Sequence, residues 1–188
     1  CDIENGRAAL ERLGPTRDAR RKKAATERES RYLDTVEPLF FLEGEKAERD
    51  QAYMEAMRGL HEAYPEDDEA RAFYALSILG SKNGERDFAT YMDAAATVLP
   101  IFDRNPRHPG AVHYIIHSFD DPVHAPLGLA AANAYSGIAP DAAHAQHMTS
   151  HIFVALGLWE RTVTANIRAR DIQDGERANR GEKPNICG

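Results

Sequence analysis

The chain has 188 residues, of which 43% are hydrophobic and 28% charged, with 30 acidic side chains against 23 basic ones and a formal net charge of −7. This length is typical of one globular domain or of a few stacked repeats. No apolar run approaches the roughly 20 residues of a membrane-spanning helix, and nucleic-acid-binding domains are usually basic rather than acidic. The composition therefore predicts a soluble protein that binds neither membrane nor nucleic acid.

The two cysteines and the chain ends carry little chemical signal. Cys1 and Cys187 lie at opposite ends and form no CxxC pattern, so neither a disulfide framework nor a cysteine metal site is indicated. The first residues lack the apolar segment of a secretion signal. We expect a cytoplasmic location, with a secreted or periplasmic one left open if a signal has been removed. We also expect residues 1–188 to form a single domain that is a fragment of a longer protein.

The predicted elements are all helices, since Ala, Leu, Glu and Arg dominate and alternating β-branched runs do not occur. Proline, glycine and capping residues divide the chain into about eight of them. They are expected near residues 15–38, 46–64, 67–84, 87–103, 109–120, 122–137 and 140–157, and from 159 onward. Gly84 is expected to end the third. Because the turns are short, neighbouring helices should pack antiparallel in stacked pairs.

A helix-ending proline recurs at Pro65, Pro106 and Pro140. The second of these intervals equals the period of the tetratricopeptide repeat, about 34 residues, and the first is somewhat longer. The predicted fold is therefore all-α, with antiparallel helix pairs stacked as a tetratricopeptide-like right-handed solenoid.

Two segments resemble a group of uncharacterised bacterial tetratricopeptide-repeat proteins: HPGAVHYIIHSFDDP at residues 108–122 and HAQHMTSHIF at 144–153, the latter followed by LGLW at 156–159. The resemblance extends to FYAL at 73–76 and covers about two thirds of the chain. It implies an α-repeat fold and no settled activity, because repeat proteins host many functions. The chain departs from the family where residues 140–157 exceed a standard first helix, and where Thr149 follows Met148 in place of the family's frequent proline.

The histidines are the residues that most clearly indicate a functional site. Seven of the eight lie between His108 and His151, in a stretch to Gly157 that contains no Lys or Arg. We therefore expect this stretch to be buried or to line a cleft.

Two histidine pairs within it, His113 with His117 and His147 with His151, are each spaced by four residues and so share one helix face. The two pairs are separated by one full repeat period, which in a stacked array places all four rings on one strip of the concave surface. Four converging imidazoles suit Zn, Cu, Ni or non-haem Fe.

Further candidate ligand-binding residues surround the two pairs. His144 joins the face of His147, Asp120 follows His117 by three residues and adds a carboxylate, Tyr114 adjoins His113, and His124 lies near a turn. A lone histidine in an apolar helix is more often a hydrogen-bonded core residue than a ligand, and HxxxH is a loose pattern. Histidines that relay protons or bind anions without a metal stay open as well.

Three functions remain open from the sequence. The first is a binding scaffold whose histidine-lined concave face holds a peptide, a protein or a small molecule. The second is a metal-binding protein or a hydrolytic or oxidative metalloenzyme that uses Zn, Cu or Fe. The third is one inert piece of a larger enzyme. Self-association through the solenoid ends is also expected, because no polar capping helix is apparent.

Overall fold

The computed structural model describes residues 2–82 and 86–183, and over these residues it contains helices and no strand. The prediction of an all-α protein is confirmed for this part of the chain. The described helices are α1 (Ile3–Leu13), α2 (Arg17–Arg21), α3 (Glu27–Phe41), α4 (Lys46–Ala63), α5 (Asp68–Ser81), α6 (Phe88–Arg104), α7 (Pro109–Phe119), α8 (Ala125–Ile138), α9 (Ala143–Ala155) and α10 (Trp159–Asn179). The predictions that concerned Cys1, Gly84 and Cys187 lie outside the described residues.

The helix count of about eight is wrong, because the described residues form ten helices. One additional helix, α1, begins at an Asp2 cap whose carboxylate accepts a hydrogen bond from the Asn5 amide. The predicted helix over 15–38 is two helices, since Thr26 and Glu29 form a capping box that starts α3. In a capping box the two side chains satisfy backbone amides that have no helical partner, so a new helix begins there.

The helices group into two compact units, residues 1–86 and 87–188. In the first unit α3 contacts α1, α2 and α4, and α4 contacts α5. In the second unit each helix from α6 to α10 contacts the next, and α7 also contacts α9. Every helix in the described ranges is too short or too polar to cross a lipid bilayer.

Asp67 joins two helices of the first unit. It caps α5 by accepting hydrogen bonds from the amides of Glu69 and Ala70. Its carboxylate also accepts from Arg28 Nε at 2.6 Å and from the Tyr32 hydroxyl at 3.1 Å, both on α3. Although burial alone would raise the pKa of Asp67, the hydrogen bonds from Arg28, the Ala70 amide and Tyr32 outweigh it and lower that pKa.

We expect the free energy of unfolding to fall as the pH is lowered through the folded-state pKa of Asp67. A carboxyl whose folded pKa is depressed contributes stability that is fully present above its unfolded pKa of about 3.9 and is lost below it. Urea unfolding followed by circular dichroism between about pH 2 and pH 6 checks this. The Asp67→Asn chain should lose less stability on acidification than the wild type, and parallel losses in the two chains would contradict the prediction.

The core of the second unit is formed by the apolar faces of α6, α7, α8 and α9. Ile115 and Ile116 of α7 and Ile152 of α9 are fully buried. Gly128 of α8 lies so close to α9 that a Cβ atom there would be 2.7 Å from Ile152 Cδ1. This close approach holds α9 against the rest of the unit.

Candidate metal centre

Two helices of the second unit carry the histidines. On α7 the buried positions leave His113 and His117 on an adjoining, half-buried face. On α9 the exposed His144 and His147 and the half-buried His151 share one face, because positions three and four apart lie above one another in a helix. Since α7 and α9 are in contact, the two histidine faces meet.

The five rings form a closed circle. Going round it, neighbouring ring centroids are 4.9 Å apart for His117 and His113, 5.1 Å for His113 and His144, 6.5 Å for His144 and His147, 5.0 Å for His147 and His151, and 6.4 Å for His151 and His117. The structure thus brings together two pairs that lie far apart in the chain. We call these five side chains the histidine circle.

Hydrogen bonds from neighbouring helices fix the protonated nitrogen of two of these rings. His147 Nδ1 lies 2.7 Å from Asn166 Oδ1 on α10, and Asn166 Nδ2 donates to the Thr162 carbonyl, which orients the amide. His151 Nδ1 lies 2.7 Å from Asp120 Oδ2. Both Nδ1 atoms therefore carry the proton when the rings are neutral, and both Nε2 atoms carry a lone pair.

These two lone pairs face each other, because His147 Nε2 and His151 Nε2 are 3.2 Å apart. Two acceptors at that separation repel unless a cation lies between them. The hydrogen bond to Asp120 raises the pKa of His151, and burial opposes it only in part. The pair is therefore set up to hold a positive charge, either a proton or a metal ion.

His113 and His117 form the second close pair, with their Nε2 atoms 3.0 Å apart. His113 Nδ1 is 3.2 Å from the hydroxyl of Tyr135, which is buried on α8. Because a hydroxyl both donates and accepts, it leaves the tautomer of His113 open. Burial, followed by the neighbouring His117, His144 and His151, lowers the pKa of His113 to about 4, so this ring is neutral at pH 7.

The spacing within each pair matches that of two ligands of one metal ion. Two nitrogens, each about 2.0–2.1 Å from a tetrahedral zinc ion, lie about 3.3 Å apart, and their ring centroids lie about 5 Å apart. The two wider sides of the circle, 6.4 and 6.5 Å, exceed that spacing. Accordingly, no three His, Cys, Asp or Glu side chains in the described residues already converge as a metal site. Of these two sides, only the one between His151 and His117 joins the two pairs, and a four-histidine site requires it to close by about 1 Å.

The remaining predicted residues lie around or outside the circle. Asp120 orients His151 rather than extending the His117 face. Tyr114 stacks on His113 with 5.6 Å between ring centroids. His124 is bonded to Asp121 at 2.9 Å and packs against Phe88, so these partners hold it outside the circle.

Two residues of the site were missed by the sequence analysis. Asn166 and Tyr135 belong to α10 and α8, and each bonds a histidine on a different helix. No spacing along the chain marks such partners. They could have been found only by aligning α9 with the antiparallel α10, and α7 with α8.

A groove of about 660 Å³ opens beside the circle along the seam of α9 and α10. His144 and His147 form the edge nearest the circle. The rest of the lining is contributed by Ala143, Thr162, Val163, Asn166, Ile167, Ala169, Arg170 and Gln173. His144 and His147 are thus open to solvent and to small molecules on this side.

Comparisons with protein-family models, with curated proteins and with solved structures give no match to this chain. The resemblance to tetratricopeptide-repeat proteins stays a prediction from the sequence motifs.

Proposed function

We propose that the second unit binds a transition-metal ion through His113, His117, His147 and His151. One observation carries the proposal: the Nε2 lone pairs of His147 and His151 face each other at 3.2 Å while their Nδ1 atoms are held by Asn166 and Asp120. Metal-bound histidines characteristically donate their second N–H to a carboxylate or a carbonyl oxygen, which orients the ring and makes it a stronger ligand.

The surroundings support a cation here. The stretch from His108 to Gly157 contains no Lys or Arg that would repel a metal ion. The Asp120 carboxylate adds a negative charge behind His151. Since imidazole suits Zn, Cu, Ni and Fe, an all-histidine set favours these ions over Mg or Ca, which prefer oxygen ligands.

Metal titration of the purified protein tests this function. We expect one Zn, Cu or Fe(II) ion per chain, bound more weakly at low pH because protons compete with the ion for the imidazole nitrogens. The His124→Ala chain is the matched control, since His124 is a nearby histidine outside the circle, and it should bind equally well. Protein that stays metal-free by elemental analysis after incubation with all three metals would overturn the proposal and favour a proton held between the two lone pairs.

A second candidate function, the binding of a peptide or protein on a tetratricopeptide-like scaffold, is supported by α10. Trp159, Val163 and Ile167 follow one another at helical spacing on this helix and are 64, 57 and 46% exposed. The contact of α7 with both α8 and α9 fits the packing of successive repeats. Under this function the protein binds its partner equally well with and without metal.

A further inference from the structure

The groove beside the histidine circle runs parallel to the helices that form it. Arg161 of α10 stacks over Phe153 of α9, and Asn166 bonds His147 farther along, so the two helices are antiparallel. One helical turn beyond, about 5 Å, the groove is lined by His144 of α9 and Arg170 of α10.

Arg170 is the only Lys or Arg among the residues that line this groove in the described part of the chain. It forms an ion pair with the neighbouring Asp171, and the two side chains are 61% and 63% exposed. Such an exposed pair is weak, so the guanidinium is able to turn toward a ligand. Its planar fork of N–H groups matches the two oxygens of a carboxylate.

Apolar side chains line the groove together with Arg170 and the two histidines. Val163 and Ile167 form one wall, and Ala143 lies on the other side. An apolar wall next to a single cation favours an anion that carries a hydrocarbon part over a bare inorganic anion.

We propose that this groove binds a small organic carboxylate, whose carboxylate pairs with Arg170 and whose hydrocarbon chain lies on Val163 and Ile167 and points toward His147. The end near His147 lies beside the ion of the histidine circle, where a second carboxylate would be a fifth ligand added to the four histidines. This part of the inference rests on the proposed metal-binding function. The groove contacts themselves require no metal.

Two straight-chain acids distinguish binding in the groove from contact with the metal ion. Hexanoate has one carboxylate and probes the groove alone. Adipate, of the same length, has a second carboxylate at the far end that reaches the metal ion. Binding of each acid to metal-free and to zinc-loaded protein is followed by NMR chemical-shift titration.

We expect hexanoate to bind both forms with similar affinity, and Arg170→Gln to weaken that affinity about fivefold, the size of a partly exposed charge-assisted hydrogen bond. Arg168→Gln is the matched control, because Arg168 is two residues away on α10 and outside this groove. Adipate should bind more tightly than hexanoate in the zinc-loaded protein only.

No hexanoate binding by the wild type, or equal behaviour of the Arg170→Gln and Arg168→Gln chains, would overturn the groove assignment. Failure of adipate to gain affinity in protein that does contain zinc would overturn the link to the metal. If the protein takes up no zinc while hexanoate binding still depends on Arg170, the proposed function fails and the carboxylate site stands.

Discussion

Replacement of His151 with Ala is expected to weaken metal binding more than about 100-fold, since it removes a ligand and not only a residue that orients one. His151 faces His147 at 3.2 Å and is the ring of the circle that bonds the Asp120 carboxylate. Its loss leaves His147 without the second nitrogen of its pair. Isothermal titration with zinc measures the effect, with His124→Ala as the control of unchanged affinity.

Replacement of Asp120 is expected to weaken zinc binding less than replacement of His151 does, in the same titration. The Asp120→Ala chain keeps all five imidazoles but loses the acceptor of His151 Nδ1, and outer partners of this kind are worth about 10- to 100-fold in metal affinity. Asp121→Asn is its neighbour and control, because Asp121 bonds the His124 ring and the amides of Val123 and His124, just before α8. Zinc affinities reduced equally by the Asp120 and Asp121 substitutions would show that Asp120 acts only through the fold.

Replacement of Ile152 with Ala is expected to lower the free energy of unfolding of the second unit by about 2–5 kcal/mol. Ile152 is fully buried, and its Cδ1 atom fills the space that the missing side chain of Gly128 leaves between α8 and α9. Truncation to Ala leaves a cavity at this contact, which the two helices can close only in part.

Trp159 is the only tryptophan and lies on α10 of this unit, so urea unfolding followed by its fluorescence reports on the second unit alone. The Ile152→Val chain serves as the conservative control, with an expected loss of about 0.5–1.5 kcal/mol. If Ile152→Ala lowers the free energy of unfolding no more than Ile152→Val does, α8 and α9 are not held together at this point.

The helices themselves were largely predictable from local signals. Prolines and caps placed α4 to α9 close to their observed bounds, because each signal acts on its own turn of helix. The division between α2 and α3 was missed although Thr26 and Glu29 have capping-box spacing. The charged, helix-favouring residues on both sides of this point predicted one continuous helix. The capping box, which involves only two residues, is a weaker signal than that composition.

The sequence by itself determined which histidines share a helix face, since that depends only on the 3.6-residue turn. It also placed His113 and His117 one repeat before His147 and His151, which suggested that the pairs meet. The tertiary structure decided what surrounds them: Asp120 orients His151, Asn166 orients His147, and His124 pairs with Asp121 away from the circle. The pair of Asp121 and His124 is local, since the two residues are three apart in the chain. Asp120 and Asn166 reach their histidines through packing between helices, whose register is set by buried contacts such as Ile152 against Gly128, and spacing along one helix carries no record of it.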